Sequence, residues 1–209
     1  MQSRVKQIVL LLSLLFMSAE AMAEDTLASV LAMAAGQQHV AIEYREVRHL
    51  QLLSEPWQAT GKMFVSPDAF VIEQVSPQRQ LLAANKQRFW LFLPEREIRR
   101  TGMLTSPLAI KSFGLFKPLM RGDRDALEKA FDIQFTASEK QWQIELKPKS
   151  SSKSLYKRIY VKGNPGQPAD QMKAEMEDGD YSEWSFKQQE FDADVEERVK
   201  ALMDEARGL

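Results

Sequence analysis

The stretch Gly61-Lys-Met-Phe-Val-Ser-Pro-Asp-Ala-Phe-Val-Ile-Glu-Gln-Val-Ser-Pro77 holds two short runs of β character divided by one turn. Met63 and Val65 stand ahead of Ser66-Pro67-Asp68, and Phe70 and Ile72 stand behind it. Period-two apolar spacing, or a short apolar block, bounded by Pro and Asp predicts strand, turn and strand. The pattern extends in both directions. Upstream, Val40, Ile42 and Tyr44 alternate with Ala41, Glu43 and Arg45; downstream, Leu91 and Leu93 repeat the spacing. Pro56, Gly61, Pro67, Pro77, Asn85 and Pro94 punctuate the chain at roughly the 8–12-residue interval of an antiparallel sheet. A meander of about six strands is therefore expected over residues 38–103.

The next segment breaks the pattern. Ser106 to Met120 opens with a Ser N-cap and Pro107 at the first helical position, then places Leu108, Ile110, Phe113, Leu115, Phe116, Leu119 and Met120 around most of a helix. A helix apolar on nearly every side is buried or meets something greasy. Asp123 is expected to cap a second short helix to about Ala130. Strands then resume at 131–136, 141–147, 158–162, 170–176 and 181–186, with Asp178-Gly179 as a two-residue hairpin turn between the last two. Helices are expected at both ends of this array. Leu27, Val30, Leu31 and Ala34 form one before Gly36, and Val195, Val199, Leu202, Met203 and Ala206 form one apolar stripe over 194–207. The expected class is α+β: a curved antiparallel sheet wrapped as a half-barrel around a helical insert.

Composition narrows the chemistry. The chain has 209 residues, 28 Lys+Arg against 29 Asp+Glu, two histidines and no cysteine. A net charge of −1 gives no overall field for nucleic acid. Without cysteine, disulfides, thiolate metal sites and cysteine nucleophiles are excluded. His39 and His49 stand ten residues apart on one expected strand, too far for a shared metal, and no cofactor or metal is expected. Nucleotide-binding, nucleophile-elbow and zinc-protease motifs are missing. The acidic run Glu175, Glu177, Asp178 and Asp180 lacks calcium-loop spacing and reads as a solvated turn. Lys86, Arg88, Arg96, Arg99 and Arg100 make a basic neighbourhood about one hairpin, read as a solvated edge or a site for lipid phosphates or an acidic partner.

The N-terminus carries an address. Arg4 and Lys6 precede the apolar run Ile8 to Met17, and Ala21-Met22-Ala23 is an A-x-A cleavage signal, so residues 1–23 are expected to be a secretory signal peptide. The run is shorter than the roughly 20 residues a membrane span needs. The mature chain would begin near Glu24 and be soluble and monomeric in the periplasm. Domain boundaries are expected at 24–191 for the half-barrel and 192–209 for the terminal helix.

Large apolar side chains supply the candidate site. Tyr44, Phe64, Phe70, Trp90, Phe92 and Trp142 on strands, with Leu108, Phe113 and Phe116 on the insert, either line a cavity that accepts acyl chains or fill a core. Pro107, Leu108, Ile110, Phe113 and Phe116 would form its lid.

These residues resemble the LolA-type periplasmic carriers of outer-membrane lipoproteins. Pro67-Asp68-Ala69-Phe70 is similar to that family's R-P-x-x-F, Pro77 keeps its spacing from Phe70, and Trp90-Leu91-Phe92-Leu93-Pro94 matches W-x-[YF]-x-P. Thr105-Ser106-Pro107-Leu108 resembles the start of the family's lid helix, and Asp178-Gly179 with Trp184 and Phe186 its late hairpin. The resemblance implies an incomplete, unclosed β-barrel capped by helices and a cavity for acyl chains. Its cargo, an acylated lipoprotein or lipid, would come from an inner-membrane exporter and go to an outer-membrane acceptor, without catalysis. Three positions depart from the pattern. Ser66 replaces the family's lid-latching arginine, Asn85-Lys86 replaces an Asp-Gly turn, and the terminal helix stands where the main carriers continue as strand. Three alternatives remain: a carrier serving a glycolipid or other lipid exporter, a lipid-sensing regulatory module on the same fold, and an enzyme using an acid pair such as Glu43 and Glu73.

Overall fold

The computed structural model describes residues 26–36, 39–105, 116–149, 154–188 and 194–209. Eleven strands form one antiparallel sheet: β1 Val40–His49, β2 Trp57–Val65, β3 Phe70–Ser76, β4 Gln80–Ala84, β5 Arg88–Leu93, β6 Ile98–Met103, β7 Phe131–Ala137, β8 Trp142–Pro148, β9 Tyr156–Gly163, β10 Ala169–Met176 and β11 Tyr181–Gln188. Among the described residues four α-helices accompany it: α1 Leu27–Gly36, α2 Phe116–Met120, α3 Arg124–Ala130 and α4 Val195–Arg207.

The spatial order is β6-β5-β4-β3-β2-β1-β11-β10-β9-β8-β7. Two hairpin meanders join where β1 pairs with β11, leaving β6 and β7 as edges. Those edges are consecutive in sequence. Residues 104–130, which include α2 and α3, therefore connect one open edge to the other. Among the described residues no ladder joins β6 to β7, so the sheet does not close into a barrel.

Local chemistry sets the turns. Ser66 Oγ accepts from Ala69 N at 3.1 Å and closes β2 to β3. Asn85 Oδ1 accepts from the backbone N–H groups of Gln87 at 2.9 Å and Arg88 at 2.8 Å, which bends β4 into β5. Asp178 Oδ1 accepts from Asp180 N at 3.1 Å, and Gly179 takes φ +91° in the expected β10–β11 turn. Asp123 Oδ1 accepts from Ala126 N at 3.0 Å as the expected cap of α3.

Strand parity divides the core into two clusters on opposite faces. The inner face collects Tyr44, Met63, Val65, Phe70, Leu82, Trp142, Ile144, Met172 and Trp184, with Val30 and Leu31 of α1. The outer face of β2 to β5 presents Phe64, Val71, Leu81, Ala83 and Phe92, and α4 covers them with Val195, Val199, Leu202 and Ala206. A half-barrel with one solvated convex face would show polar residues there. The stripe on α4 supplies the missing cover.

Candidate functional site

The inner face holds an apolar cavity of about 100 Å³ beneath α1 and α2. β1 contributes Val40 and Ile42, β2 contributes Met63 and Val65, and Trp142, Ile144, Val161, Met172 and Phe186 come from β8 to β11. Val30 and Leu31 of α1 and Leu119 and Met120 of α2 close it from above. Its volume is well short of the roughly 300–1,000 Å³ of small-molecule sites. A larger apolar guest therefore has to displace part of the wall.

The wall has a fixed part and a separable part. Each strand is hydrogen-bonded into the sheet, and Trp142 is further held by Nε1–H donating to Gln167 O at 3.1 Å. Gly61 allows the tight fit of Tyr44: a Cβ there would lie 2.8 Å from Tyr44 Cε1 and 2.1 Å from Glu73 O. The α2–α3 turn, in contrast, touches α1 and the β2–β3 turn. Gly122, at φ +58°, lies against α1 so closely that a Cβ would come 2.0 Å from Leu31 O. Arg121 Nη2 donates to Pro67 O in the β2–β3 turn at 3.0 Å.

Polar groups inside are few and paired. Glu46, 5% exposed, accepts two hydrogen bonds from Arg48 on the same strand. Burial, with a smaller contribution from the Glu46 carboxylate, pushes the pKa of Tyr44 above its ordinary value of 10.0. Tyr44 therefore stays neutral at any physiological pH. Among the described residues no group of three or more acidic or histidine side chains could hold a metal ion.

The family profile for "Outer membrane lipoprotein carrier protein LolA" matches residues 45–199. The chain belongs to the LolA family. An uncharacterized conserved protein from Thermus thermophilus shares the fold, with TM-score 0.51 and 8% identity over 84% of this chain and 93% of that one. A LolA superfamily protein from Nitrosomonas europaea aligns with TM-score 0.40 and 10% identity, over 78% of this chain and 92% of that one. No curated protein matches the chain. Proteins of the LolA family are carriers. No described helix of this LolA-family chain is long and apolar enough to cross a membrane.

The structure divides the residues singled out from sequence. Trp142 lines the cavity, and Tyr44 and Phe70 pack in the same inner cluster. Phe64, Trp90 and Phe92 do not join them. They occupy outward-facing register positions and pack with α4, which corrects the expectation of a shared cavity. A strand side chain alternates faces, and aromatic character does not reveal which face is inner once both are covered. Pro107, Leu108, Ile110 and Phe113 lie outside the described residues, and Phe116 opens α2.

The acid pair also resolves. Lys62 stands between Glu43 and Glu73 in the ladder, and Glu73 is bound by Arg79 and Arg198. Glu73 anchors α4 to the sheet. The sequence reading missed the lining residues Ile42, Met63, Leu119, Met120, Met172 and Phe186. Period-two extension from Tyr44 through Ile42, and from Val65 through Met63, was the signal that could have found the β1 and β2 members.

Proposed function

We propose that this LolA-family protein binds the acyl chains of a lipoprotein or lipid in its apolar interior and ferries them through the periplasm, from an inner-membrane exporter to an outer-membrane acceptor. The observation that carries the reading is the apolar cavity between a hydrogen-bonded sheet and helices that hold it through side-chain packing and few polar contacts. Moving an acyl chain through water exposes apolar surface at about 0.8 kcal/mol per CH₂, and an apolar interior removes that cost. Family membership and the A-x-A signal of residues 21–23 support the same reading.

In this reading the connection between the open edges, from Pro107, Leu108, Ile110 and Phe113 to Phe116, is the lid, and α1 and α2 move outward as the chain enters. The site is wide only when occupied. No residue acts on a bond; the sheet supplies the fixed wall and the helices the adjustable one.

Native mass spectrometry of the mature chain purified from a bacterial periplasm tests the proposal. The expected spectrum carries the mass of one lipid or acylated protein, lost in Leu119→Asp while the far-ultraviolet circular dichroism of the sheet is retained. A bare protein that also refuses added acylated peptide and phospholipid overturns it.

A further inference from the structure

We propose that the interior carries, at the end remote from α1, a subsite for the acidic head of an amphiphile, centred on Arg48. The inference deepens the carrier reading and rests on it. Even-numbered residues of β1 face inward, so Ile42, Tyr44, Glu46 and Arg48 form one line along the hollow. Ile42 lines the apolar cavity. Arg48 stands six residues further on, roughly 20 Å along an extended strand.

Arg48, partly exposed on the inner face of the sheet, is held on two sides. Its Nε and Nη2 donate to the two oxygens of Glu46, at 2.6 and 3.0 Å, and Glu46 is nearly inaccessible at 5%. Its guanidinium carbon lies 4.4 Å from the centroid of the Trp57 ring, which faces it across the β1–β2 ladder. One edge and one face of the planar group are thus fixed. The other edge, with Nη1, makes no hydrogen bond to the described residues, and the Arg48 side chain is 44% exposed.

Tyr156 adds a neutral hydroxyl at the same end. Burial and then the Glu46 carboxylate raise its pKa, while Arg48 acts the other way, so the group stays a donor.

A buried carboxylate on an apolar wall costs solvation that a hydrophobic residue would avoid. Here it fixes a guanidinium whose free edge is planar and donor-only, the geometry that recognises a carboxylate or phosphate in two-point fashion. Tail and head requirements then lie on one strand: an apolar cavity at Ile42 and a fixed anion receptor at Arg48. Tyr44 and Trp184, both in the inner cluster, lie on the sheet wall between the two.

The test is calorimetric titration of the mature protein with hexadecyl phosphate, palmitate, hexadecanol and inorganic phosphate. The two acidic amphiphiles are expected to bind about tenfold or more tighter than the alcohol, the worth of one charged hydrogen-bonded pair. Inorganic phosphate alone is expected to bind far more weakly. Arg48→Gln made together with Glu46→Gln, which keeps the interior neutral and hydrogen-bonded, should erase the preference and leave hexadecanol affinity unchanged. Equal binding of acid and alcohol by the native protein overturns the subsite but not the carrier reading. Equal weakening of both ligands in the double variant shows a structural role and also overturns it. Inorganic phosphate binding as tightly as the amphiphiles replaces the assignment with a free-anion site, and failure of every amphiphile to bind removes both readings.

Discussion

Arg79 and Glu205 join the sheet to the C-terminal helix by a two-point ion pair, Nη1 to Oε1 at 2.5 Å and Nη2 to Oε2 at 2.9 Å. The same guanidinium donates to Glu73 Oε1 through Nε at 3.0 Å and Nη2 at 2.8 Å, and Arg198 of α4 reaches Glu73 Oε2 at 3.3 Å. Four side chains thus clamp α4 against β3 and the β3–β4 turn. Because Glu73 is almost buried, removal of Arg79 leaves a carboxylate with Arg198 as its remaining partner. Arg79→Ala is expected to cost about 1–3 kcal/mol in urea unfolding. Adding Glu73→Gln should recover part of that loss.

The clamp also sets an acid limit. The hydrogen bond from Arg79 holds the Glu205 carboxyl below its ordinary value of 4.5. A carboxylate with a lowered folded pKa stabilises the fold fully above the unfolded value, and that contribution fades as pH falls through the folded one. Between pH 6 and pH 3 the native protein should lose more stability than Glu205→Gln. Since Glu205 is partly exposed, the difference will be small. Parallel curves for the two proteins would remove this assignment.

The outer cluster separates stability from cargo. Leu202 is buried on the sheet-facing side of α4, and Leu202→Ala is expected to cost about 2–5 kcal/mol. Phe92→Ala should cost about 3–5 kcal/mol for the same reason. Neither changes acyl-chain affinity, measured under conditions where both variants are folded, because their side chains lie on the face opposite the cavity. On the exposed side of the same helix, Ala201→Gln stays within about 0.5 kcal/mol.

Gly122 fixes where the insert touches α1. Gly122→Ala places a side chain on left-handed backbone, at a cost of about 1–2 kcal/mol, and drives a Cβ into the Leu31 carbonyl. Faster amide hydrogen exchange in α1 and α2, with the sheet's slowest amides unchanged, is the expected signature.

Arg121 ties the insert to the barrel rim through the Pro67 carbonyl. The bond is exposed, so Arg121→Ala should change global stability by no more than about 1 kcal/mol. Its effect is expected in rate: faster uptake and faster release of an acylated peptide in stopped-flow fluorescence. Unchanged rates would show that the contact does not restrain the insert.

Much of this architecture was legible in residues. The alternation at Ile42 and Tyr44, the Pro and Asn punctuation from Pro56 to Pro94, the Asp178-Gly179 turn and the Asp123 cap are local features. They act through neighbours a few positions away, so they survive translation from sequence to structure. The apolar stripe of Val195, Val199, Leu202 and Ala206 likewise announced a helix with a buried side.

Tertiary structure decided what those elements face. Phe64 and Met63 are adjacent and both apolar, yet one meets α4 and the other the cavity. Alternation fixes that they point apart, and only the docking of a helix from the far end of the chain determines which direction is inside. The same holds for Glu73, whose partners Arg198 and Glu205-bound Arg79 are brought together by that helix. Glu46 is buried beside Arg48 only because the folded sheet turns the even-numbered residues of β1 toward its inner face. Short-range order follows from side-chain type and spacing, whereas inside and outside follow from long-range contacts that no local pattern encodes.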